Sequence, residues 1–162
     1  MRVFAAGANR GFMVFMEPTL QMPHEERLQV AALCWRPHPV PELLLVTSLR
    51  TRRWILLKGW PHSGLSLAES AAREAQEEAG VTGRVGTAPL GHYHYLKEKG
   101  GAGIPCQVEV FALEVTGQKR NWPEKGAREL RWLPIGQAAQ RLAEPSLRAL
   151  LLAFRRRLNR AA

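Results

Sequence analysis

Cysteine is scarce in this chain of 162 residues: Cys34 and Cys106 are the two thiols, far apart and without metal-ligand spacing. A disulfide framework and a thiolate zinc site are therefore excluded, and two isolated thiols in a reducing cytosol are expected. Long apolar runs are also lacking. None approaches the roughly 20 residues needed to cross a bilayer. The stretch from Val3 to Ala8 lacks the length and cleavage pattern of a signal peptide, because Asn9-Arg10 interrupts it. A soluble cytoplasmic protein is expected. Acidic residues are the minority charge, 14 against 23 Lys and Arg, so the chain carries a formal +9. That imbalance favours anionic partners: nucleotides, polyphosphates, nucleic acid or acidic membrane. Internal repeats and low-complexity segments are absent. Apolar residues, by contrast, make up 46% of the chain, which excludes disorder as the main state. The length fits one domain with a single sizeable core.

The first 27 residues carry no clear period and are expected to be an extension, partly ordered at best, ahead of a domain over residues 28–160. From Gln29 to Trp35 apolar side chains occupy both faces, the mark of a buried strand. Pro37 to Pro41 is a turn, since proline cannot feed a ladder. Leu43 to Thr47 is a second buried strand, and Trp54 to Leu57 a short third. Between them Leu49 to Arg53 forms a basic loop. After a Gly/Pro/His/Ser loop, Ser66-Leu67-Ala68-Glu69 has the pattern of a capping box. Gly80 stands where that helix would stop. Its apolar face is alanine: Ala68, Ala71, Ala72, Ala75 and Ala79, small enough for close approach to a sheet. His92 to Leu96, Cys106 to Val115 and Leu130 to Leu133 are expected strands. Ile135 to Leu142 and Ser146 to Asn159 are expected helices. Strands before and after a central helix indicate a mixed α/β or α+β domain.

The central helix carries Glu74, Glu77 and Glu78 at i, i+3 and i+4, on one face. Like charges at that spacing repel, so the cluster asks for a counterion. Oxygen ligands suit Mg²⁺ or Mn²⁺ facing a phosphate. A bare acidic face of this kind is ordinarily just a solvated helix surface, so the surroundings decide.

Those surroundings match a long pattern. Gly59, Arg73, Glu74, Glu77, Glu78, Gly80 and Val81 fall on G-x5-E-x7-R-E-U-x-E-E-x-G-U, where U is bulky and apolar. The segment closely resembles the Nudix box. Ala75 is a mild departure; Leu65, where the pattern has Glu, is a real one. Lys58-Gly59-Trp60-Pro61 and Trp122-Pro123-Glu124-Lys125-Gly126 resemble the bacterial branch similar to diphosphoinositol polyphosphate and diadenosine polyphosphate hydrolases. The resemblance covers roughly residues 28 to 142. It implies a Nudix fold, a mixed sheet between helices, and metal-dependent hydrolysis of a P–O–P linkage. By position, Glu74 and Glu78 would bind metal, Glu77 would be ligand or general base, and the carbonyl of Lys58 or Gly59 could add an oxygen. In relatives the glutamate replaced by Leu65 pairs with the arginine of the Arg-Glu dipeptide. Here Glu69 or Glu77 is expected to hold Arg73 instead, and activity to be weakened or retuned rather than lost.

On the substrate side, Lys58 offers a compact charge for phosphate. Arg50, Arg52, Arg53 and Ser48, with Thr47, are further candidates, against the plain alternative of a solvated basic loop. His92 and His94 share a strand face, too few for a metal site by themselves. Lys97 and Lys99, with the glycines after them, are expected to form a mobile basic loop. Trp122 either stacks on a base or anchors its loop. Glu109 and Glu124 are further candidate carboxylates. Arg155, Arg156, Arg157 and Arg160 are expected to be a solvated helix face.

The reading that follows is a Mg²⁺- or Mn²⁺-dependent pyrophosphohydrolase acting on a dinucleoside polyphosphate or diphosphoinositol polyphosphate. It expects a small-molecule partner, neither nucleic acid nor membrane, and a monomer or homodimer. One alternative is a Nudix-like binding or regulatory domain with weakened turnover, favoured by Leu65. Another is an RNA 5′-end pyrophosphohydrolase, suggested by the arginine-rich tail but lacking an aromatic stacking platform.

Overall fold

The structure, a computed structural model, describes residues 25–162. The expected extension over residues 1–27 lies outside the described residues except for 25–27. The core is an eight-stranded mixed sheet. Its central strand is β1 (Arg27–Arg36), which runs parallel to the long β7 (Ala102–Gln118). On its other side β1 pairs first with β4 (Leu57–Gly59) and then, near Trp35, with β2 (Glu42–Thr47), both antiparallel. β2 also pairs with β3 (Trp54–Ile55) and β8 (Leu130–Pro134). β7 pairs with β5 (Val81–Val85) and β6 (Gly91–Lys99).

β1 is apolar on both faces because both are covered, and its alternation sorts residues between two cores. Ala31 and Leu33 join the core under α2 (Ile135–Arg141) and α3 (Pro145–Ala161), with Leu147, Leu151 and Phe154. Val30, Ala32 and Cys34 face α1 (Leu67–Ala79). Fully burying each leucine-sized side chain contributes about 1.5–3 kcal/mol. A mixed sheet with three helices is the expected α+β class.

Three local expectations change. Trp54 to Leu57 is two strands rather than one: the chain leaves β2 at Ile55 and joins β1 at Leu57, with buried Leu56 between. β5 was not expected, because Thr82-Gly83-Arg84 has little apolar content. It forms because β7 offers an open edge beyond β6. Lys97 and Lys99 are not in a loop. They belong to β6, and the turn is confined to Gly100-Gly101, both at positive φ.

Candidate metal and phosphate site

α1 begins with both halves of a capping box: Ser66 Oγ accepts from the Glu69 amide at 3.1 Å, and Glu69 Oε2 accepts from the Ser66 amide at 2.7 Å. It ends at Gly80, which is left-handed at φ 69°. A side chain at Gly80 would be strained and would also meet Trp122, 2.7 Å from Cδ2. Trp122 thus anchors its loop on the end of α1. Ala68, Ala71, Ala75 and Ala79 are buried against the sheet, and Ala72 is partly buried. Alanine's small volume lets α1 lie close to β4. The approach is so tight at Gly59 that an added Cβ would sit 2.6 Å from Glu74 Oε1.

The three glutamates have different surroundings. Glu74 is tucked beside Gly59, with 13% of its side chain exposed, and Oε1 lies 2.8 Å from His62 Nε2. Burial raises its pKa above the usual carboxylate range, against the lowering hydrogen bond from His62. Glu77 is the most open, at 35%. One ligand atom from each of His62, Glu74 and Glu77 lies within 4.8 Å of the others. Glu78 is the most enclosed, at 4%. Its Oε2 accepts from the Lys58 amide at 3.3 Å, and Oε1 from Arg128 Nη2 at 3.3 Å. Burial is the largest influence and pushes its pKa up to about 8, although Arg128 pulls the other way. Arg128 also donates to the Thr47 carbonyl at 3.0 Å and to Glu124 at 3.4 Å. It therefore ties α1, β2 and the 119–129 segment together.

Arg73 Nε donates to Glu77 Oε1 at 3.2 Å. Glu69 does not take part, because its carboxylate is occupied by the cap. Leu65 is exposed and offers Arg73 no charge. The arginine that the pattern assigns to residue 65's partner is thus held within α1, by one of the three site carboxylates.

The described donors fit a hard divalent cation. Glu74 and Glu77 come within reach of one ion, Glu78 lies on the same helix but is turned to Arg128 and the Lys58 amide, and Glu74 and Glu78 are drawn out of water at a cost that a cation would offset. The carbonyls of Lys58 and Gly59 belong to the strand against which these carboxylates pack.

Beside this end of α1 opens a cavity of about 790 Å³. Lys58, Gly59, Glu78 and Arg128 form its inner wall, and Ser48, Arg50 and Arg53 its rim. Arg52 does not line it; at φ 56° it turns its guanidinium to the Ala127 carbonyl. Arg50 reaches across to the Glu98 carbonyl at 2.9 Å. Lys58 Nζ sits 2.7 Å from Tyr95 Oη, and Gln29 Oε1 accepts from both. Burial first, and Lys97 second, bring the Lys58 pKa down to about 8. Gln29 is buried, and its Nε2 finds no acceptor among the described residues.

Several of these residues were not singled out from sequence. Tyr93 and Tyr95 face the cavity while His92 and His94 are exposed on the opposite face, where His94 meets Glu26. Strand alternation separates the two pairs but does not say which pair points inward. Glu109 lies on that same face as His92, its partner across the ladder, and accepts from Gln107 at 3.5 Å. Arg128 and Gln29 gave no motif signal. Lys97 lies over the Trp60 ring at 5.4 Å and lines the cavity. Arg155, Arg156, Arg157 and Arg160 are exposed on α3, apart from the cavity lining.

Comparison with known proteins points one way. The family model described as NUDIX domain matches residues 26–154. The Arabidopsis thaliana protein "Nudix hydrolase 12, mitochondrial" is 35% identical over 107 residues, covering 61% of this chain and 51% of its own length. The mouse (Mus musculus) "Diphosphoinositol polyphosphate phosphohydrolase 3-alpha" is 32% identical over 123 residues, covering 72% and 69%. The chain spans about half the length of the first Arabidopsis relatives it matches. Among solved structures, a binary complex of Caenorhabditis elegans Ap4A hydrolase superposes with a TM-score of 0.61 at 20% identity, covering 82% of this chain and 98% of that one. At that identity the likeness speaks for the fold alone. Among the described residues, no helix is long and apolar enough to cross a membrane.

Proposed function

This chain belongs to the Nudix hydrolase family, and from that premise we propose that its domain, over residues 28–160, is a Mg²⁺- or Mn²⁺-dependent pyrophosphohydrolase. Its substrate is a polyphosphate such as a dinucleoside polyphosphate or a diphosphoinositol polyphosphate. Nudix hydrolases generally use divalent metals. The observation that carries the reading is a juxtaposition: Glu78, on the same face of α1 as Glu74 and next to Glu77, lines a roomy cavity together with Lys58, Arg50, Arg53, Lys97 and Arg128. A cytoplasmic setting, in keeping with two buried free cysteines, belongs to this proposal. So does action on a small molecule by a monomer or homodimer.

Glu74, Glu77 and Glu78 would hold the metal, with the carbonyl of Lys58 or Gly59 as a further oxygen donor. A divalent cation there supplies positive charge against the phosphate oxygens. The chain's own residues do the rest. Glu77, the most exposed of the three, is open to water and takes a proton from it as the water oxygen bonds to phosphorus and the bridging P–O bond breaks, the other phosphate leaving with the bridging oxygen. Lys58, Arg50 and Arg53 lie where a phosphate chain would enter, and offset the charge growing on its oxygens. Lys97 lines the same cavity. Ser48 can donate a hydrogen bond at the rim.

Leu65 favours the second reading, a binding or regulatory domain with weakened turnover, because Glu77 must both hold Arg73 and serve the site. One panel decides between them. The protein is incubated with Mg²⁺ or Mn²⁺ and diadenosine polyphosphates, inositol pyrophosphates, nucleotide sugars and triphosphorylated RNA, beside Glu77→Gln. Turnover of a polyphosphate, lowered about 100-fold or more in Glu77→Gln, is expected. Binding without turnover of any substrate supports the second reading. Unchanged turnover in Glu77→Gln refutes the role given to that residue.

A further inference from the structure

His62 was not among the site residues expected from the sequence, yet its ring nitrogen lies against Glu74 and close to Glu77. We propose that His62 Nε2 is a nitrogen ligand to the divalent cation, and that it biases this site away from Mg²⁺ toward transition metals that accept nitrogen, Mn²⁺ among them. The inference rests on the proposed function, since it assumes that a cation is held at α1.

Position carries it first. His62 is fixed to the helix that bears the carboxylates: its amide donates to Ser70 Oγ at 2.9 Å, and Ser70 is fully buried on α1. Its carbonyl accepts from the Leu65 amide at 3.2 Å. The ring is half-buried, at 29%, so it is not a side chain sweeping through solvent. Nε2 then lies 2.8 Å from Glu74 Oε1 and, with one Glu77 oxygen, within a 4.8 Å set. Ligand atoms around one ion, with bonds of about 2.1 Å, sit roughly 3 Å apart when adjacent and roughly 4 Å apart when opposite. The separations in the cluster approach that range, so small rotations of exposed Glu77 would close it.

Chemistry carries it second. With the proton on Nε2, the His62–Glu74 contact is a hydrogen bond that Nε2 donates. With the proton on Nδ1 instead, the same nitrogen offers a lone pair to the point Glu74 faces. Imidazole suits Zn²⁺, Fe²⁺ and Ni²⁺; Mn²⁺ favours oxygen but, as a transition metal, accepts a nitrogen more readily than Mg²⁺, which keeps its waters. A set that joins the His62 imidazole to the carboxylates of Glu74 and Glu77 is therefore retuned relative to carboxylates alone.

The test is spectroscopic. Mn²⁺-loaded protein is examined by pulsed electron paramagnetic resonance for the modulation of a directly coordinated ¹⁴N. His62→Ala and His62→Gln follow, because the chain has five histidines and the signal must be assigned. A ¹⁴N coupling in the unmutated protein that both variants lose is expected. Mn²⁺ affinity should fall about tenfold in both, with Mg²⁺ affinity nearly unchanged. Stoichiometric Mn²⁺ binding without ¹⁴N coupling, or a coupling that survives His62→Ala, overturns the inference and leaves the proposed function standing. No Mn²⁺ or Mg²⁺ binding at all removes both. Should the variants fail to fold, the spectrum of the unmutated protein still decides whether nitrogen is bound.

Discussion

Replacing Arg128 by Met in the metal-free protein should cost less stability at pH 6 than at pH 9. Arg128 and Glu78 are both enclosed, with 9% and 4% of their side chains exposed. In the unmutated protein Glu78 has a folded pKa of about 8 against an ordinary 4.5, because burial outweighs the pull of Arg128. Between those values the folded state keeps a proton that the unfolded state releases. Stability therefore falls as pH rises from about 4.5 to about 8, then levels off. At pH 6 Glu78 is protonated in the fold, and Arg128→Met loses mainly hydrogen bonds to the Thr47 carbonyl and to partly exposed Glu124. That is about 1–2 kcal/mol. At pH 9 the carboxylate is ionised beside Arg128, and without Arg128, which pulls its pKa down, it keeps its proton instead. The extra loss is the free energy of ionising a group of pKa about 8 at pH 9, about 1.4 kcal/mol. The total at pH 9 is then about 2–3 kcal/mol, roughly 5–10 °C in Tm for a domain of this size. Urea titrations in EDTA at the two pH values measure the difference. Adding Glu78→Gln should flatten the pH dependence. A loss that is equal at pH 6 and pH 9, or larger at pH 6, would refute the electrostatic account of Glu78.

Gly59→Ala should displace Glu74, since its Cβ would meet that carboxylate, and should cost about 1–3 kcal/mol together with a weaker Mn²⁺ titration. Tight Mn²⁺ binding by this variant would show that Glu74 is not needed where it stands. Ser66→Ala removes an observed capping box, with about 1 kcal/mol lost in thermal or urea melts. Lys58 is charged below its pKa of about 8, so KM for a polyphosphate should rise as pH passes 8. Lys58→Met should raise KM about tenfold or more at pH 7 and abolish that rise. A KM profile of unchanged shape in Lys58→Met would remove Lys58 from substrate binding.

Much of the fold was legible because its signals are local. The capping box of Ser66 and Glu69, the stop at Gly80 and the alanine stripe each follow from neighbouring residues, and each is observed. β1 and β2 announce themselves by being apolar on both faces. β5 stayed hidden because a strand of Val81-Thr82-Gly83-Arg84-Val85 is stabilised by its neighbour β7 rather than by its own pattern. The break at Leu56 depends on which strand is nearest, a long-range fact.

The sequence alone determined the acidic face of α1 and the cationic character of the chain, because helical spacing and charge are written residue by residue. It also posed the question of who holds Arg73 once Leu65 cannot. Only the tertiary structure answered it, since Glu69 and Glu77 are equally spaced from Arg73 but the cap claims Glu69. Only the tertiary structure, too, turned Tyr95 rather than His94 toward the cavity, brought Arg128 to Glu78 across 50 residues, and laid His62 against Glu74. Those contacts come from strand pairing and loop docking, and a linear sequence encodes them only through the whole fold.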